Sequence, residues 1–120
     1  MDFQAIAAGM ETDRFIGHAK TICDRLAVDL TFCKDIYEVT AHLAKGPVRR
    51  GVVLGRLEKL SGEKGRLFEK ASQAGWVCCC LAKKISGGAR TQAIRAMQTG
   101  AIVINDAGQL EEIMTRLIKA

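Results

Sequence analysis

The sequence predicts an α/β fold: a parallel five-stranded sheet with helices on both faces, formed by strands and helices in strict alternation along residues 1–120. Three observations predict it. Apolar residues recur at helical period in five segments, short apolar runs separate them, and glycines mark many of the joints. The runs at 52–54, 76–81 and 101–104 have no alternating polar side, which suits strands covered on both faces.

Taken in order, residues 3–8 form a short apolar run, followed by Gly9 and by Thr12 and Asp13 as helix-cap candidates. Phe15, Ile16, Ala19, Ile22, Cys23 and Leu26 then fall on one face of a helix. Residues 29–33 alternate, with Leu30 and Phe32 on one side. Ile36, Val39 and Leu43 give a shorter helix stopped by Gly46 and Pro47. A third strand is expected at 51–54, preceded by Arg49 and Arg50 at its amino end. Leu60, Leu67, Phe68, Ala71 and Ala74 mark the next helix, with Glu63, Lys64, Arg66, Glu69 and Lys70 on its wet side and Gly75 after its end. The fourth strand is 76–81. Gly87 and Gly88 lead into a helix through Ile94 and Met97 that Gly100 ends, and 101–104 is the fifth strand. Leu110, Ile113, Met114, Leu117 and Ile118 complete a final helical stripe.

Each crossover between parallel strands requires a helix, so this alternation implies a single flavodoxin-like (βα)5 domain with strand order 2-1-3-4-5. The composition agrees. At 48% hydrophobic and 26% charged residues, with a single proline, the chain is ordinary globular stock and neither disordered nor low in complexity. Its apolar runs are about half the length a membrane span needs, and residues 1–9 carry no basic leader pattern, so a cytoplasmic protein is expected. A net charge of +5 suits an anionic partner without demanding one. With 5% aromatics and no recognition helix, the sequence argues against nucleic acid.

The five cysteines fit a reducing compartment. Cys78, Cys79 and Cys80 are consecutive in a strand, where neighbours point to opposite faces and a disulfide between them is disfavoured. Paired metal-ligand spacings are missing, so no metal is expected. The trio reads as apolar core. Cys80 as a nucleophile, with Lys83 and Lys84 nearby, is the lesser reading, because a reactive thiolate must be exposed and stabilised. His18 and His42 have no catalytic partner at motif spacing.

Ala93-Ile94-Arg95-Ala96-Met97-Gln98-Thr99-Gly100-Ala101, followed by Gln109-Leu110-Glu111-Glu112-Ile113, resembles the last third of response-regulator receiver domains. The cadence of all five βα units extends the resemblance over the whole chain. In that family an aspartate ending the third strand accepts a phosphoryl group. Acidic residues after the first strand hold Mg²⁺, a hydroxyl follows the fourth strand, and a lysine follows the fifth. Here those places read Ala8-Gly9, Leu54-Gly55, Cys80-Leu81-Ala82 and Ile104-Asn105-Asp106, with no acidic residue between 51 and 57. Glu11, Asp13 and Asp106 are read as cap or turn residues. The resemblance thus implies a non-enzymatic signalling or protein-interaction domain without cofactor or catalytic residues, one that cannot be phosphorylated on aspartate.

Two surfaces are candidates for function. The loop from Lys83 and Lys84 through Gly87 and Gly88 to Arg90 and Thr91 follows a strand and opens a helix, a place suited to a small anionic ligand. The stretch at 61–66 lacks the order of a phosphate loop and is expected to be a solvated helix start. In receiver domains the fourth helix, fifth strand and fifth helix commonly contact partners. That resemblance puts Arg90, Arg95, Glu111, Glu112 and Arg116 on an expected interface with a protein partner, in one form a weak homodimer.

Overall fold

The structure is a computed structural model describing residues 3–9, 13–45, 50–83 and 87–119. The strands are β1 (Gln4–Ala8), β2 (Asp29–Cys33), β3 (Gly51–Arg56), β4 (Trp76–Leu81) and β5 (Ile102–Ile104). All neighbours pair in parallel in the order β2-β1-β3-β4-β5, as the alternation requires. The helices are α1 (Arg14–Leu26), α2 (Ile36–Lys45), α3 (Leu57–Leu60), α4 (Gly62–Gln73), α5 (Gly88–Gln98) and α6 (Leu110–Lys119).

Period-two alternation along each strand sends side chains to two separate cores. On one face Ala5, Ala7, Val52, Leu54, Cys79 and Leu81 meet Phe15, Ile16 and Ala19 of α1 and Leu110 and Met114 of α6. On the other, Ile6, Val53, Cys78 and Cys80 meet Val39, Leu57, Leu60, Leu67, Phe68, Ala93 and Ala96. The cysteine trio is therefore split between the faces and wholly buried, as the sequence implies. Of the α6 stripe, Leu110 and Met114 are fully buried, whereas Ile113, Leu117 and Ile118 are only partly covered.

The chain between β3 and β4 differs from the expected single helix. Two helices occupy it, and α4 opens with Glu63, Lys64 and Gly65 in left-handed conformation at φ of 55°, 58° and 77°. The turn falls within the solvated helix start expected at 61–66; Glu63, Lys64 and Arg66 are exposed there, but Ser61 and Gly65 are buried. Gly62 presses against Ile36, where a Cβ would come within 2.9 Å of Cδ1, and Gly65 lies against the Arg95 stem, so neither position has room for a side chain. The other punctuation is as expected. Gly75 and Gly100 follow their helices with φ of 81° and 88°. Ala27 ends α1 in the same left-handed region at φ 57°. At the amino edge of the sheet Arg50 donates to the carbonyls of Leu117 and Ile118, closing the end of α6. Arg49, Gly46 and Pro47 lie outside the described residues.

Candidate functional site: a charged cleft at the carboxyl edge of the sheet

The cleft begins with the register of β3. Gly55 is buried against α3, where a Cβ would meet Leu60 at 3.1 Å. The strand runs one residue beyond it, and Arg56 reaches the first turn of α1 instead. Its Nε donates to Asp13 Oδ2 at 2.7 Å and its Nη2 to Asp13 Oδ1 at 3.0 Å. Asp13 is also the N-cap of α1, accepting from the Phe15 backbone N–H at 2.8 Å. The Arg56 hydrogen bonds hold the Asp13 carboxyl below the usual aspartate range against the opposing effect of burial, and the same pair raises Arg56.

On the Arg56 side of this pair lies a cleft of about 500 Å³ lined by Arg14, Phe15 and His18 of α1, Arg56, Leu81, Lys83 and residues 105–107. A second depression of about 360 Å³ shares Arg56, Leu81 and Lys83, and continues to Ala89 and Gln92 of α5. Asp106 enters the first cleft with its carboxylate already engaged, accepting from Gly108 N at 2.9 Å. Gln109 completes a capping box by accepting from the backbone N–H groups of Asn105 and Asp106. The cap roles expected for Asp13 and Asp106 are both present, and Glu11 lies outside the described residues.

Of the expected anion loop, Lys83 lines both depressions, Lys84 lies outside the described residues, and Gly87, Gly88, Arg90 and Thr91 are exposed and line neither. A Cβ at Gly87 or Gly88 would meet nothing within 4 Å. The cations the structure does bring together are Arg14, Arg56 and Lys83, with His18 beside them. Arg56 escaped sequence reasoning because Gly55 looked like the end of the strand.

Among the interface candidates, Glu111 pairs with Arg25 and Glu112 with Arg116, the latter at 2.7 Å along the same helix. Arg95 turns its stem toward Gly65, where a Cβ would lie 2.8 Å from its Cδ, and Arg90 is exposed. Between them the face is more apolar than the charges alone indicate. Ile94 is 47% and Met97 54% exposed on α5, and a groove along β5 is lined by Ile102, Val103, Ile113 and Leu117 with Glu112 and Arg116 at its rim. The i, i+3 spacing of Ile94 and Met97 was the available signal.

The described residues contain no group of three or more side chains arranged to hold a metal ion. Burial pushes the thiols of Cys78 and Cys79 up to about 12 and Cys80 higher still, so none is poised as a thiolate. No described helix is long and apolar enough to cross a membrane.

No family model and no curated protein matches the chain. Among solved structures, a response regulator from Thermotoga maritima superposes with a TM-score of 0.67 over 98% of this chain and 99% of that one, at 14% sequence identity. At that identity the likeness is one of fold. The chain has the receiver-type (βα)5 architecture.

Proposed function

We propose that this chain is a receiver-fold signalling or protein-interaction module, working in the cytoplasm, that does not accept a phosphoryl group on aspartate. One observation carries the reading. At the carboxyl end of β3 the resemblance places the acceptor carboxylate at Gly55, which carries no side chain, and the next residue, Arg56, holds Asp13. Mg²⁺ requires carboxylate oxygens, and a fixed guanidinium in the same crevice opposes a divalent cation. Asn105, which follows β5, supplies no cation for the phosphoryl oxygens. Incubation with acetyl phosphate and Mg²⁺ is expected to leave the intact mass unchanged. A single base-labile phosphate on any aspartate overturns the proposal.

The same reading assigns partner contact to the edge formed by α5, β5 and α6, with a second copy as the simplest occupant. Ile94, Met97, Ile113 and Leu117 supply apolar contact and Glu112 and Arg116 a mixed-sign rim, which a two-fold axis can lay against its own copy. Rim ion pairs are each worth about 0–1 kcal/mol, so the association is weak and depends on the apolar patch. Sedimentation at high concentration should show a monomer–dimer equilibrium that Met97→Glu abolishes. A strict monomer, or a dimer indifferent to Met97→Glu, removes self-association from the reading.

A further inference from the structure

We propose that the cleft beside α1 reversibly binds a phosphate-bearing small anion, and that Asp13 is the built-in carboxylate this anion displaces from Arg56. Three elements converge to form the site: Arg14 and His18 lie one turn apart on α1, Arg56 ends β3, and Lys83 follows β4. In a sheet of order 2-1-3-4-5 the chain leaves β1 and β3 in opposite directions, opening a crevice at the carboxyl edge where ligands settle in this class of fold. A volume of about 500 Å³ accommodates a small molecule.

The charge balance selects the ligand. Asp13 is paired with Arg56, Asp106 lines the cleft with its charge intact although its own turn holds it, and Glu58 faces Arg56 from the adjoining depression. Against these, Arg14 and Lys83 are exposed cations facing the same space and keep the cleft itself net positive. The guanidinium edge that grips the two oxygens of Asp13 has the geometry that grips two phosphate oxygens. A phosphate group carries more charge than a carboxylate and gains from Arg14 and Lys83 at the same time. Asp13 is not stranded by the exchange, because its N-cap bond to Phe15 N remains. The site is therefore self-competing: the internal carboxylate keeps Arg56 ordered when the cleft is empty and sets the threshold an anion must exceed.

Titration with pyrophosphate in low salt, followed by backbone amide NMR, tests this. Saturable shifts are expected at Arg56, Lys83, Asn105 and the first turn of α1. Arg56→Gln and Lys83→Gln should each weaken binding roughly tenfold, the loss of one charge-assisted contact. Asp13→Asn keeps the cap and frees Arg56, so it should tighten binding by roughly fivefold. Lys83 is exposed and Lys83→Gln leaves packing alone, so it decides the matter even if Arg56→Gln folds poorly. No saturable shift by about 10 mM pyrophosphate, shifts spread equally over surface cations such as Lys20 and Arg50, or binding unaltered by Lys83→Gln and Asp13→Asn would overturn the proposal. The mass measurement above detects covalent phosphate and this titration detects reversible binding, so the two proposals fail separately.

Discussion

Asp13 has two jobs that substitution can separate. Its carboxylate caps α1 through Phe15 N at 2.8 Å and grips Arg56 through two bonds at 2.7 and 3.0 Å. A cap bond of this kind is worth about 1 kcal/mol. With side chains only 24% and 28% exposed and bidentate geometry, the ion pair should exceed an exposed pair and contribute about 1–2 kcal/mol. Asp13→Asn, which keeps a capping oxygen, should therefore cost about 1–2 kcal/mol, and Asp13→Ala about 2–3. Arg56→Met retains an apolar stem and should cost about as much as Asp13→Asn. The double variant Asp13→Asn/Arg56→Met should show a coupling of about 1 kcal/mol, read by urea denaturation or as roughly 3–6 °C in Tm. The pH dependence has a fixed sign. The folded pKa of Asp13 is lowered, so its stabilisation is complete above the unfolded value near about 4 and is lost as the pH falls through the folded value. Coupling near zero at pH 7, coupling that survives full protonation of the carboxylate, or equal costs for Asp13→Asn and Asp13→Ala would each refute this reasoning.

Two further predictions concern the interior and the backbone. Native protein should react slowly with a thiol reagent at Cys78, Cys79 and Cys80, because burial holds them protonated, and quickly once unfolded; rapid labelling of Cys80 in the folded state would contradict the buried-core placement. Ala27→Gly should raise stability by up to about 1 kcal/mol by relieving a left-handed alanine, whereas Gly51→Ala should cost more than about 2, since its Cβ would lie 2.4 Å from the Trp76 ring and 2.6 Å from the Gln4 carbonyl; denaturant midpoints of opposite sign check the pair.

The strands and most of the helices were legible in the sequence because each rests on local periodicity, as at Trp76–Leu81 and in the α1 stripe from Phe15 to Leu26, and the sheet order followed from their alternation. Capping was equally legible at Asp13 and Asp106, since a cap bonds a backbone group two residues away. What escaped was non-local. The Arg56–Asp13 pair joins residues 43 apart, and nothing in either neighbourhood announces the other. Glu63 and Lys64 are residue types that rarely turn left-handed, so the break before α4 was visible only as Gly62 and Gly65. The sequence places Ile94 and Met97 on a helix without showing whether anything covers them. They stay wet because α5 packs at the sheet margin, where β5 is only three residues long and offers little to cover them.

Placing three adjacent thiols in β4, an interior strand of the sheet, makes unfolding a chemical event as well as a conformational one. In the strand their geometry forbids mutual pairing, and closure of the two cores shields them from oxidants. A chain that opens far enough to release β4 has neither protection, and five free sulfurs become available to one another and to neighbouring molecules. Each excursion in an oxidising medium then risks a cross-link that the native sheet cannot accommodate, and return becomes slower with every cycle. Lifetime outside a reducing medium is consequently governed by how often the sheet opens, and a melting scan without reductant should depend on its heating rate.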